Sequence, residues 1–259
     1  MSVGRLLLTT LNGAASGVTM RVWVWLPPQY DDPAYARTNF PVLVLYPGGD
    51  GVDYTQWFSP EKVGIVAQGA AAGQVSPFII VEPQLQPSVS LDTECTDLEG
   101  QPKVGTFMES DVPNMIHATF RVAANRTGWG IGGASSGAYC AARLLLARPD
   151  LYSVGATLGG YFLIQTSLAA GRTPAARATS PQVIAEQHPP DVRLRLFVGE
   201  KDTVSVKENQ AFLAKVRPPT VVDLRITAGG GHTWTTFQQQ LPEMFAFFTA
   251  NLDKALPRQ

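Results

Sequence analysis

Cysteine is scarce in this sequence. There are two, Cys95 and Cys140, in 259 residues. That excludes a disulfide-built scaffold and every four-cysteine zinc module. Two free thiols are the simpler reading, and a single Cys95–Cys140 bridge is the other. Histidine is hardly more abundant: His117, His188 and His232 are scattered and give no metal-ligand cluster. Charge is low as well, 16% of residues, and 20 basic side chains nearly cancel 21 acidic ones for a net −1. No basic excess exists to neutralise phosphates, which argues against a nucleic-acid reader. No apolar run approaches the ~20 residues of a membrane span. The opening MSVGRLLLTT has an apolar run of only Leu6–Leu8. A secretory leader needs an apolar region of about 7–15 residues. What the chain does have is a 45% hydrophobic content with 24 glycines and 20 prolines, enough to bury one sizeable core over residues 1–259.

Short apolar runs alternate with helical patterns nearly to the end. Val18–Leu26, Phe40–Tyr46, Phe78–Val81, Thr127–Ile131, Val154–Leu158, Leu194–Val198 and Val221–Ile226 read as strands. Helical spacing falls at about 61–72, 107–124, 136–148, 205–216 and 235–253. The alternation predicts an α/β fold with a mostly parallel sheet covered by helices on both faces. The first two strands follow one another directly, so that edge is expected to be an antiparallel hairpin. Two stretches are irregular: Gln84–Gly105, and Ile164–Pro190, which reads as a cap-like excursion.

The chemistry gathers around Gly133-Ala134-Ser135-Ser136-Gly137. It follows a predicted strand and opens a predicted helix, the context of a nucleophile elbow. The serine of such a turn stands at a helix N-terminus, where amides and dipole favour negative charge. Ser135 then needs a base. His117 lies inside a helical pattern, and His188 comes before any acid that could serve it. His232 follows the last strand in GGGHTW, where glycines let the chain turn sharply, and is the expected base. The acid belongs in the loop after RLRLFVG, where Asp202 is the first choice and Glu200 the alternative; Asp223 lies inside a strand. Acyl transfer also needs donors for an oxyanion. The backbone N–H of Ser136 is one, with its hydroxyl idle. Gly49 of the Pro47–Gly51 loop is the other, with Gly48 as the alternative. GGDG lacks the Lys-Ser/Thr of a phosphate-binding loop, and no metal or other cofactor is expected.

These residues resemble the esterase D and mycolyltransferase (antigen-85-type) branch of the α/β-hydrolases, which includes feruloyl and enterochelin esterases. The likeness runs from about Val18 to Leu252. It rests on VWVWLPPQYDDP, FPVLVLYPGG, the tryptophan of DYTQWF, TFMESDVPNMI, GGASSGAYCAARLLLARPDLY and GGGHTW. The oxyanion loop departs from it, reading PGG where the esterases have HG and the mycolyltransferases DGL. The resemblance implies an α/β-hydrolase of about eight strands. It implies a serine carboxylic-ester hydrolase or acyltransferase with Ser135 as nucleophile, His232 as base, and Gly49 and Ser136 as oxyanion amides. Its mycolyltransferase members use a glutamate acid, so Glu200 stays open. The substrate implied is a small-molecule or lipid/sugar ester, and the setting the cell envelope or outside. The competing reading is a catalytically inactive fold serving as a binding or envelope-interaction module.

Overall fold

The computed structural model describes residues 4–52 and 55–257; Asp53 and Tyr54 of the DYTQWF phrase fall outside them. In chain order the sheet strands are β1 (Arg5–Asn12), β2 (Thr19–Leu26), β3 (Val42–Tyr46), β4 (Ile79–Pro83), β5 (Trp129–Ala134), β6 (Val154–Leu158), β7 (Arg193–Gly199) and β8 (Val221–Thr227). The helices are α1 (Pro60–Ala71), α2 (Val104–Thr106), α3 (Val112–Thr119), α4 (Ser136–Ala147), α5 (Pro174–Ala178), α6 (Pro181–Gln187), α7 (Thr203–Lys215) and α8 (Trp234–Asn251). The eight strands form one sheet in the order β1-β2-β4-β3-β5-β6-β7-β8. The pairs β1/β2 and β2/β4 are antiparallel and the rest parallel.

Strand β3 shows why the sheet needs two covers. Val42, Val44 and Tyr46 join one core cluster, with Leu145 of α4 and Phe212 of α7. Leu43 and Leu45 join the other, with Val66 of α1 and Phe248 of α8. All five are fully buried, so the strand reads as an unbroken apolar run, as it must when both faces are covered. Helix α8 seals its side with a stripe of Phe237, Leu241, Met244, Phe245 and Phe248 at helical spacing. Helix α4 is buried almost throughout, from Gly137 to Leu146.

The expected hairpin between the first two predicted strands is corrected. The antiparallel partner of β2 at the edge is β1, which the sequence pattern did not reveal, and β3 lies beyond β4 in the interior. Leu6, Leu7 and Leu8 of β1 stay partly exposed at the sheet edge, so the strand carries no alternating pattern to read. The helix expected at 107–124 is broken as well. It runs as α2, a π-turn over Phe107–Asp111 and α3. It stops at Thr119 because Phe120 turns extended and Val122 bridges to Phe40.

The two cysteines pair, which overturns the reading of two free thiols. Cys95 and Cys140 have Cα atoms 5.5 Å apart and close a 45-residue separation. The bond ties the long 84–103 loop to α4, the helix that follows Ser135. Beside it, Glu94 accepts from the Tyr161 hydroxyl and from the N–H groups of Gln165 and Thr166. The loop is thereby tied to the 164–190 segment too. Within that segment α6 packs on α4 and α7, burying Pro181 and Ala185. Residues 164–177 instead line a cleft of about 390 Å³ that includes Ile164, Thr166, Arg172 and Arg177.

Closing a 45-residue loop removes about 4 kcal/mol of unfolded-chain entropy. The double variant Cys95→Ser/Cys140→Ser is therefore expected to melt about 10 °C below the oxidised wild type. Dithiothreitol should lower the wild type toward the variant and leave the variant unmoved, as read by differential scanning calorimetry.

Candidate active site

Three loops at the C-terminal ends of β5, β7 and β8 carry the expected residues. Between β5 and α4, Ser135 has φ 54° and ψ −116°. That is a costly conformation for a residue with a side chain, kept only where the surroundings impose it. Two glycines make it possible. A Cβ at Gly133 would lie 2.2 Å from the Gly137 oxygen, and one at Gly137 would lie 2.3 Å from the Pro47 oxygen. The Ser135 N–H donates to the Leu158 carbonyl at 2.8 Å, pinning the turn to the end of β6.

The loop after β8 turns at Gly229 (φ 68°) and delivers His232 just before Thr233, the N-cap of α8. His232 Nδ1 lies 2.6 Å from Asp202 Oδ2, and Nε2 lies 3.0 Å from Ser135 Oγ. An ionised carboxylate only accepts hydrogen bonds. The proton therefore sits on Nδ1, and Nε2 is left to accept from the serine hydroxyl. The ring packs edge-on against Phe237.

Asp202 is 8% exposed and does two things. Its Oδ1 accepts the Ser205 N–H at 3.2 Å and caps α7, while Oδ2 meets the imidazole. Burial raises its pKa, but hydrogen bonds from Ser205 and His232 outweigh burial and leave it below the ordinary value. The Ser205 hydroxyl stands 3.4 Å from His232 Nδ1 and from the Gly159 oxygen. Glu200 points elsewhere, accepting the Gly229 N–H at 2.8 Å. Asp223 pairs with Arg195 and Arg225 on the sheet. His117 stacks on Trp129, and His188 ends α6.

The Pro47–Gly51 loop faces the elbow. Gly49 (φ 69°) gives its carbonyl to the Ser136 hydroxyl at 2.7 Å, so that hydroxyl is not idle as expected. The Gly48 N–H is taken by Gln56 Oε1 at 2.6 Å. Gly49 has the N–H with no hydrogen-bond partner among the described residues. Glu82, fully buried at the end of β4, accepts the N–H groups of Gln56 and Trp57 at 2.6 and 3.1 Å. Burial pushes its pKa up to about 8 against the pull of those N–H groups and of the Lys62 ammonium. Gln56, Glu82 and Ser205 escaped the sequence reading. The signal that could have found Glu82 was a lone carboxylate closing an otherwise apolar strand, FIIVEP.

Comparison with known proteins decides the family. The sequence model of the Esterase family matches residues 13–248. The chain belongs to the Esterase family. An uncharacterized protein of Corynebacterium glutamicum is 34% identical over 147 residues, covering 55% of this esterase-family chain and 33% of that protein. The match thus spans about a third of the length of that curated relative. Among solved structures, a ferulic acid esterase superposes with a TM-score of 0.80 at 20% identity, covering 96% of this chain and 99% of that one. An S-formylglutathione hydrolase from Agrobacterium tumefaciens gives 0.77 at 14% identity, covering 96% of each chain. Mycobacterium tuberculosis MPT51 gives 0.70 at 14%, covering 96% of this chain and 99% of that one. These likenesses establish the α/β-hydrolase fold expected from the sequence, with its two antiparallel pairs at one edge of the sheet.

The cap on α7 makes a stability test available without any substrate. Asp202→Ala removes the acceptor and is expected to cost about 1 kcal/mol in urea unfolding at pH 7. Asp202→Asn keeps an acceptor at the cap and should cost less. The folded pKa of Asp202 lies below its unfolded value, so its charge-dependent stabilisation is present above about pH 4 and is lost as pH falls through the folded pKa. The gap between wild type and Asp202→Asn should narrow on acidification.

Proposed function

We propose that the chain is a serine esterase that works through an acyl-enzyme on Ser135, with His232 as general base and Asp202 as the acid behind it. The observation that carries this reading is the unbroken hydrogen-bond line from Asp202 through His232 to Ser135, at 2.6 and 3.0 Å, ending on a serine held at positive φ. Family membership supports ester chemistry for the same chain.

In the proposed reaction the Ser135 hydroxyl attacks the ester carbonyl as its proton passes to His232 Nε2. Asp202 keeps the imidazole in the required tautomer and stabilises the imidazolium that forms. The developing oxyanion is taken by the N–H groups of Ser136 and Gly49. His232 then gives its proton to the leaving alkoxide, and the acyl group stays on Ser135. Water attacking with His232 as base completes hydrolysis, and an alcohol in place of water completes acyl transfer. Glu200, committed to the Gly229 N–H, has no part in this scheme. The Cys95–Cys140 bond favours an oxidising, extracytoplasmic setting. The substrate is a small-molecule or lipid/sugar ester, and residues 164–190 form part of the wall for its acyl part, since they follow β6 between the serine and acid loops.

The test is turnover of p-nitrophenyl butyrate with labelling by a fluorophosphonate. Ser135→Ala should fold, lose labelling and lose about 10⁴-fold or more in kcat. Asp202→Asn should lose about 10⁴-fold, and Glu200→Gln little. Near wild-type turnover by Ser135→Ala contradicts the assignment, and the reverse order for the two acids moves the acid to Glu200. Shortening Ala169–Thr179 should change KM and chain-length preference across p-nitrophenyl esters more than melting temperature. A large loss of melting temperature with unchanged selectivity would mean that the segment is core.

A further inference from the structure

Pro47 stiffens only the entry of the loop that presents the Gly49 N–H. Gly49 and Gly51 both lie at positive φ, where glycine costs little and holds little. An oxyanion donor is worth most when its direction is fixed before the reaction. The Leu85 N–H holds the far end of the loop at the Gly51 carbonyl, 2.9 Å away, and two side chains reach the Gly48–Gly49 unit itself. On one side Gln56 Oε1 accepts the Gly48 N–H at 2.6 Å. On the other, the Ser136 hydroxyl donates to the Gly49 carbonyl at 2.7 Å. These bonds fix the peptide groups on either side of the Gly48–Gly49 unit. The N–H of that unit, on Gly49, is the one left to meet a substrate.

Gln56 is itself held from behind. Its backbone N–H and that of Trp57 both run to the oxygens of the buried Glu82 carboxyl group. Trp57 packs edge-on against Trp234, ring centroids 5.6 Å apart, two residues beyond His232. Lys62 donates to the Gln56 carbonyl and lies 4.2 Å from the centre of the Trp234 ring. A carboxyl group out of water is costly unless its polar atoms are hydrogen-bonded. Here the partners are the backbone of the segment that steers the oxyanion loop, and that segment rests on the start of the helix after the histidine.

We propose that Glu82, acting through Gln56, and the Ser136 hydroxyl are positioning residues that together aim the Gly49 N–H at the oxyanion. The proposal rests on the esterase reading above and adds to it the residues that set the oxyanion donor. None of these side chains touches the reacting atoms.

The experiment compares phenyl butyrate with O-phenyl thionobutyrate in wild type, Glu82→Gln, Ser136→Ala and Ser136→Thr. Sulfur is the poorer hydrogen-bond acceptor, so an aimed donor favours the oxygen ester in the transition state. Losing a whole oxyanion donor costs about 10²–10³ in kcat, and misaiming one should cost about 10-fold to 100-fold. Glu82→Gln and Ser136→Ala are expected to lose that much kcat on the oxygen ester, with KM within about two-fold. The oxygen-to-sulfur rate ratio should fall by the same factor, and Ser136→Thr, which keeps a hydroxyl, should recover it. Should Glu82→Gln fail to fold, the Ser136 pair decides alone. An active, Ser135-dependent enzyme whose ratio is unmoved in folded Ser136→Ala overturns the positioning role only. A wild type with no Ser135-dependent turnover overturns the esterase reading and this proposal with it.

Discussion

The site depends on one steric fit. Ser135 can hold its positive φ only because neither Gly133 nor Gly137 carries a Cβ, each of which would meet backbone oxygen at 2.2–2.3 Å. The fit lets α4 start directly against the ends of β3 and β5. Those neighbours are themselves fixed by β5 lying at the centre of the sheet, between β3 and β6. A methyl group at either glycine would push the helix from the strands and take the serine with it. The buried run of α4, from Gly137 to Leu146, supplies the packing that keeps so costly a turn closed.

Around that turn, polar groups are used more than once. Asp202 caps α7 and meets His232 with its two oxygens. Such sharing lowers the cost of keeping a carboxylate nearly out of water, because each oxygen has a donor. Each oxygen of the Glu82 carboxyl group likewise accepts a backbone N–H. The Cys95–Cys140 bond and Glu94 anchor the 84–103 loop to α4 and to the segment after β6. The two cysteines and Glu94 thus hold irregular backbone that would otherwise be loose.

Much of this was legible in the sequence, for identifiable reasons. Interior strands such as Val42–Tyr46 announce themselves because burial on both faces demands unbroken apolar runs. Ser135, Asp202 and His232 stand out because each follows a strand and sits beside glycine or a helix start, and the structure brings those side chains within hydrogen-bonding distance. Strand β1 was hidden because an edge strand with half-exposed leucines has no clear period. The disulfide was hidden because pairing depends on a 5.5 Å approach between residues 45 apart, which spacing alone does not encode. Gln56 and the Ser136 hydroxyl were hidden because they act across the fold on the backbone of Pro47–Gly51, and their partners are glycines without side chains to betray them.

The most direct measurement of the central claim is the mass of the protein caught in turnover. Wild type mixed with a slowly deacylated ester, quenched in acid and digested, should show a peptide bearing Ser135 heavier by one acyl group. The adduct should form and decay with the rates of the product burst and of steady turnover. Efficient turnover with the acyl group on another residue, or with no covalent adduct under conditions where deacylation limits the rate, would contradict it.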